Sequence, residues 1–155
     1  MDLSTRPRAG RSWKNFLELI AQKHQADFGS LQLWDRTAGG LCLIAHHNFD
    51  GRSAERFAVV RDGDGTVCDA AQASQAPVII DDIEREQLFA SLRGWRRHMG
   101  IRAIHTTPVF DLTGMFIGAF SMHYARARSI TSLEHKMYSA HADQFSRLFA
   151  DVQRN

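Results

Sequence analysis

GAFSMHYA, residues 118–125, alternates two kinds of side chain: Phe120, Met122 and Tyr124 on one beat, Ser121 and His123 on the other. A period of two means a strand with two unlike faces. AIHTTPVF, residues 103–110, has the same mixture of apolar residues with Thr106, Thr107 and His105. LTG (112–114) lies between the two and reads as the turn of a hairpin. Hydroxyls and imidazoles in core strands fit a catalytic site, the lining of a small-molecule pocket, or ordinary half-exposed positions. A buried hydroxyl without a partner costs about 1–3 kcal/mol. Several of them in one sheet point to a wet cavity or a polar ligand.

Upstream, SLQLWD (30–35) alternates, TAGG (37–40) turns, and LCLIAHH (41–47) continues as a second hairpin. SWKNFLELIAQKHQADFG (12–29) has Trp13, Phe16, Leu17, Ile20 and Phe28 at helical spacing, with Ser12 as cap and Gly29 as stop. Residues 1–11 read as a disordered basic arm. SAERFAVV (53–60) reads as a short helix capped by Ser53, and TVCDAAQAS (66–74) as a helix capped by Thr66. APVII (76–80) is a short strand. Loop and helix follow, closed by Gly100. Thr131 and Glu134 open a long final helix with Leu133, Met137, Phe145, Leu148 and Val152 broadly on one face.

This order predicts an α+β fold. The first and last helices cover one face of an antiparallel sheet. The short helices and loops cover the other face and leave a cavity there. Trp13, Phe149 and Val152 read as apolar surface beyond what the sheet needs. That predicts a homodimer through helices 12–28 and 131–152.

The chain has 155 residues, 44% apolar and 23% charged, with a formal net charge of +2. This suits one domain burying roughly two thirds of its unfolded surface. No apolar run approaches the ~20 residues of a membrane span. The opening MDLSTRPRAGRS lacks the apolar core of a secretory signal, so the expected compartment is the cytoplasm. Cys42 and Cys68 share no metal-binding spacing and read as small hydrophobes. RGWRRHMGIR groups Arg93, Arg96, Arg97 and Arg102 and reads as a solvated helix face, with no nucleic-acid motif beside it. His46 and His47 are neighbours on a strand and point to opposite faces, so they cannot share one ion. The same alternation leaves only Asp82 of the Asp81-Asp82 pair facing the cavity.

Over residues 12–152 the chain resembles a GAF domain. The matching pieces are the hairpin SLQLWDRTAGGLCLIAHH, TVCDAA, PVIIDDI, HMGIRAIHTTPV and GMFIGAFSMHYARARSITSLEHKM, in that order and spacing. The resemblance implies a sensory or regulatory module that binds a small ligand in the cavity or pairs with a second copy. It also implies a downstream kinase or regulator as partner. Some members of that family carry tetrapyrroles, and one branch is enzymatic. The alternatives are therefore a structural dimerisation module without ligand, a tetrapyrrole or haem protein, and a redox enzyme.

The resemblance places Thr106, Ser121 and His123 on the ligand face, with Ile104 at a matching position of the same strand. Bilin-binding members end the preceding helix in a Cys-His-x-x-Tyr-Leu-x-x-Met-Gly pattern. Here Ser91, Leu92 and Trp95 stand at its cysteine, histidine and tyrosine, so no covalent bilin is expected. The cyclic-nucleotide pattern survives only at Glu134. The methionine-sulfoxide-reducing members need several cysteines near the pocket, and only Cys68 is there. The expected binding set is His123, Ser121, Thr106, Ile104, Asp82, Trp95, Thr66 and Cys68. No catalytic residue, no metal ligand and no named cofactor are expected. The ligand is a small polar or anionic molecule, with neither membrane nor nucleic acid as partner.

Overall fold

A computed structural model of the chain describes residues 7–61, 63–87 and 93–154. Six antiparallel strands form one sheet: β1 (Phe28–Asp35), β2 (Gly40–His47), β3 (Val59–Val60), β4 (Val78–Ile80), β5 (Ala103–Phe110) and β6 (Phe116–Tyr124). Their spatial order is β3-β2-β1-β6-β5-β4. Helices α1 (Pro7–Lys23) and α5 (Ser132–Arg154) pack on one face. The other face carries α2 (Gly51–Arg56), α3 (Val67–Ser74) and α4 (Arg93–Met99). This is the α+β arrangement expected from the sequence.

The alternation in 118–125 sorts the core. Phe120, Met122 and Tyr124 join Leu31, Leu33, Trp13, Leu17 and Phe145 under the two long helices. Ser121 and His123 face the short helices, opposite Ser30 and Phe28 of β1. Pro108 is tolerated in β5 because β4 pairs only with Ile104–Thr106, so the strand has an open edge beyond them.

Several local readings change. Helix α1 begins at Pro7, so the arm read over 1–11 is helical from residue 7 onward. Proline suits the first helical turn, where its missing N–H has no partner to lose. The helix ends at Lys23 rather than at Gly29, which sits inside β1. Asp50, not Ser53, caps α2: its carboxylate accepts from the Ser53 N–H at 2.7 Å. Trp13 is only 1% exposed and packs on Phe145, ring centres 5.1 Å apart, so it belongs to the core and not to a surplus surface. Phe149 and Val152 are half-buried against the same core. The caps at Thr66 and Thr131 and the close of α4 at Gly100, φ +75°, stand as read.

The polar strand residues fall on both faces. His105 and Thr107 are buried beneath the helices, His105 against Tyr124 at 5.0 Å. Nearby, Glu134 accepts two hydrogen bonds from Arg128, both 2.8 Å, and lies 3.0 Å from His24 Nδ1. His24 Nε2 is 2.9 Å from His141 Nε2, and the His24 ring stacks on Tyr138. This polar chain ties α1 to the start of α5. The carboxylate of Glu134 is thereby committed on the helix face, away from the cavity.

Candidate ligand pocket

The cavity lies between the sheet and the short helices. β1 contributes Ser30 and Gln32, β5 Ile104, and β6 Ser121 and His123. Phe49, Phe57 and the α3 start (Thr66, Val67, Cys68) form further walls, and α4 adds Trp95 and Arg96. It leaves about 30 Å³ of room for the centres of water molecules, enough for about two of them.

Ser121 and Thr106 satisfy each other. Their hydroxyl oxygens are 2.7 Å apart, and Cys68 Sγ lies 3.7 Å from the Ser121 oxygen. So the paired hydroxyls do not by themselves require a ligand. Thr106 is fully buried behind Ser121 and does not line the cavity. His123 differs. Its ring lines the cavity, and its Nδ1 is buried with no hydrogen-bond partner. Burial first, then the positive charge of Arg96 and then His105, lowers the His123 pKa to about 3. The imidazole is therefore neutral at ordinary pH and contributes hydrogen bonding rather than charge.

The charge comes from Arg96, only 1% exposed. Burial lowers its pKa to about 10, with Glu86 opposing the shift, so the guanidinium stays protonated at neutral pH. This corrects the reading of the basic cluster as a uniformly solvated face. Arg97 pairs with Glu84 at 3.0 Å and Arg102 with Asp82 at 2.9 Å on the outside. Arg96 alone of the four is buried. Three basic residues in a seven-residue helix show no stripe. The available signal was Trp95 and Met99 at i, i+4, which mark the inward side next to Arg96.

Three rings converge on the cavity. Phe57 and Trp95 have centres 4.4 Å apart, Phe49 and Trp95 6.0 Å. The Trp95 indole N–H donates to Ser53 Oγ at 2.8 Å, which fixes the ring. Of the expected binding set, His123, Ser121, Ile104, Trp95, Thr66 and Cys68 come together here. Asp82 does not. It caps the short 3-10 turn Ile83–Arg85, pairs with Arg102 and borders a separate depression. The strand ends at Ile80, so the strict alternation that pointed Asp82 inward no longer holds there. Ser30, Gln32, Phe49, Phe57, Val67 and Arg96 line the cavity outside the expected set. Ser30 and Gln32 alternate with the core residues Leu31 and Leu33, a signal that becomes directional only once β1 is known to pair with β6.

Ser91 and Leu92, at the bilin-attachment positions, lie outside the described residues. His46 and His47 diverge as expected: His47 Nδ1 is 2.7 Å from Glu18 of α1, whereas His46 stacks on Phe49. Leu41 and Leu43 pack in the same cluster as Cys68, so Cys42 between them points to the opposite side of the sheet. The two thiols are thus kept apart, and burial raises Cys68 to about 11.

A pH prediction follows from His123. Its folded-state pKa lies below the ordinary histidine value near 6.5, so the unfolded chain takes the proton first. Stability is then complete above about pH 6.5 and falls as the pH drops toward 3, by at most about 1.4 kcal/mol per pH unit from this residue. His105 and His141, lowered chiefly by burial, act in the same direction. In urea unfolding at pH 7.5 and 5.5, His123→Asn is expected to lose less stability on acidification than the parent chain. An identical acid loss in both would mean that His123 is not held neutral.

A six-stranded sheet with two long helices behind it and a covered cavity in front defines the fold class. The GAF domain family model matches residues 12–149, and the chain belongs to that family. Solved structures agree in fold. A domain of a putative two-component sensor histidine kinase from Sinorhizobium meliloti matches with a TM-score of 0.74 at 19% identity, covering 93% of this chain and 90% of that one. The GAF domain of a phosphoenolpyruvate-protein phosphotransferase from Coxiella burnetii gives 0.78 at 14% identity, with 97% and 87% covered. A type II free methionine-R-sulfoxide reductase from Thermoplasma acidophilum gives 0.76 at 19% identity, with 97% and 96% covered. No curated protein matches the chain. Among the described residues, no helix is long and apolar enough to cross a membrane.

Proposed function

We propose that this GAF domain is a sensory or regulatory module, not an enzyme. It takes a small polar or anionic molecule into the cavity beside His123 and passes binding on through α1 and α5 to a second copy or a partner protein. The observation that carries this is the buried, partnerless Nδ1 of His123 in the wall of a cavity that also contains a buried arginine. A ligand group that hydrogen-bonds to this nitrogen completes a bond whose absence costs about 1–3 kcal/mol. β6 offers a direct mechanical route outward. Ser121 and His123 touch the cavity, and their neighbours Phe120, Met122 and Tyr124 are packed beneath the long helices. Leu19 on α1 and Leu133 on α5 remain 67% and 69% exposed, which leaves apolar surface on both helices for a partner.

The fold is shared with sulfoxide reductases, but the chemistry is not supported. Cys68 is held as a thiol by burial, and thiolate is the reactive form. Cys42 lies across the sheet and cannot resolve it. Native mass spectrometry of the freshly purified protein tests the reading in one measurement. The expected spectrum is a dimer carrying a small molecule, with the adduct weakened in Ser121→Ala and His123→Ala. A monomer without any adduct, in a protein that also gives no thermal shift with a metabolite library, would defeat it.

A further inference from the structure

We infer that His24 and His141 form a proton-sensitive latch between α1 and α5, closed while the pair holds at most one positive charge and parted when both rings are charged. It lies on the helix side of the sheet and does not depend on what the cavity binds. His24 closes the last turn of α1, its N–H donating to the Ile20 carbonyl at 3.0 Å. Glu134, Tyr138 and His141 stand at i, i+4 and i+7 and so share one face of α5. Both histidines are buried. Their partners fix the hydrogens. The Glu134 carboxylate takes two bonds from Arg128, and an ionised carboxylate can only accept. His24 Nδ1, 3.0 Å from it, therefore carries a hydrogen. The gap between the two Nε2 atoms, 2.9 Å, then needs one hydrogen and has room for no second. In the neutral pair His141 donates from Nε2 to a bare His24 Nε2. In the singly charged pair the extra proton goes to His141 Nδ1, and one hydrogen stays in the gap. With both rings charged, two N–H groups would face each other, and the contact is lost.

The surroundings do not offset a second charge. Glu134 is already shared with Arg128 from the loop after β6. Burial opposes its ionisation, but the bonds from Arg128 and then from His24 outweigh that and lower its pKa. Lys23 of α1 adds positive charge near His141. Tyr138 stacks on His24, and its hydroxyl is spent on Tyr124 of β6 at 2.7 Å. His105 of β5 lies behind the Tyr138 ring, and Asp27, before β1, accepts from the Ala125 N–H. Once parted, each imidazole takes a proton near the ordinary histidine value of about 6.5. The closed pair thus holds at least one proton fewer than the parted pair below that pH. The contact is complete above about pH 6.5 and weakens as the pH falls, about tenfold per pH unit for each proton of difference. Burial, with Gln144 opposing it, lowers the His141 pKa in the same direction. Acid therefore loosens α1 from α5 locally.

Imidazole nitrogen-15 spectra and amide hydrogen exchange of the full chain, taken from high to low pH across the histidine range, test this. At the alkaline end His24 is expected as the Nδ1–H tautomer and His141 as the Nε2–H tautomer. The probe amides are His24 and Ala26, which donate to the Ile20 and Ala21 carbonyls at the end of α1. They are expected to exchange through a local opening, and so to be less protected than Phe120 and Met122 in β6. After correction for the intrinsic pH dependence of exchange, their protection should fall about tenfold or more per pH unit below about 6.5. In His141→Gln the side-chain amide can either donate or accept, so the contact survives charging of His24 and the fall should flatten. An Nε2–H tautomer of His24 at the alkaline end would overturn the latch. So would probe amides that open only with β6, protection that stays level while both rings become charged, or a His141→Gln chain with the parent's pH dependence. The parent chain alone decides the matter where His141→Gln does not fold.

Discussion

Gly118→Ala is expected to separate the two central strands. Gly118 lies on β6 opposite Leu33 of β1 and Val109 of β5. A Cβ built there would fall inside contact distance of the Gln32 carbonyl oxygen, and 2.7 Å from the Leu33 side chain. The first obstacle is backbone in a paired strand, so no rotamer change can relieve it. Overpacking a core typically costs 1–3 kcal/mol, and at a rigid site more. A loss of at least about 3 kcal/mol is expected against a domain stability of about 5–15 kcal/mol. Gly10→Ala is the matched control. Gly10 is exposed in α1, and nothing lies within 4 Å of its added Cβ. It should raise stability by about 0.5–1 kcal/mol through helix propensity. Urea unfolding of the two variants reads both signs. Equal stability of Gly118→Ala and the parent chain would mean that the β1–β6 approach is looser than described.

The second large effect is at Trp13. The ring bridges α1 to Phe145 and Phe149 of α5, with centres 5.1 and 6.4 Å away. Truncation to alanine opens a cavity where two helices and the sheet meet, at a cost of about 3–5 kcal/mol. Trp13→Phe makes the contrast informative. The indole N–H is buried and has no hydrogen-bond partner. Its removal therefore loses packing volume but no bond, and a cost below about 1.5 kcal/mol is expected. Thermal and urea unfolding of the pair should separate by several kcal/mol. A mild Trp13→Ala would return Trp13 to the surface role that the sequence first implied.

The two residues also show how reading depth varies along the chain. Trp13, Phe16, Leu17 and Ile20 announce a helix with an apolar stripe, but periodicity does not say how many neighbours that stripe has. With one sheet beneath it, Trp13 is surplus. With α5 alongside, it is core. The candidate pocket shows the same limit. Ser121 and His123 were recognisable because strict alternation in GAFSMHYA places them on one face. Arg96 was not, because a seven-residue helix with basic residues at 93, 96 and 97 has no single polar side. Asp82 was assigned inward by extending a strand two residues past its end.

What the sequence determined by itself were the features governed by neighbours in the chain. These are the order of helices and strands apart from β3, which falls inside the stretch 53–60 read as a helix, together with the two hairpins, the caps at Thr66 and Thr131, the stop at Gly100, and the opposite faces of Ser121 and Met122. Each depends on backbone geometry repeated over a few residues, so the local pattern carries it. Only the tertiary structure decided what depends on the angle and depth at which elements dock. It brought Arg96 into the cavity, turned Asp82 toward Arg102, and matched Ser121 to Thr106. It buried Trp13 beneath α5 and joined His24, Glu134 and His141 across 117 residues of chain. The physical reason is that burial and hydrogen-bond partnership belong to pairs of elements, and no single segment encodes its partner.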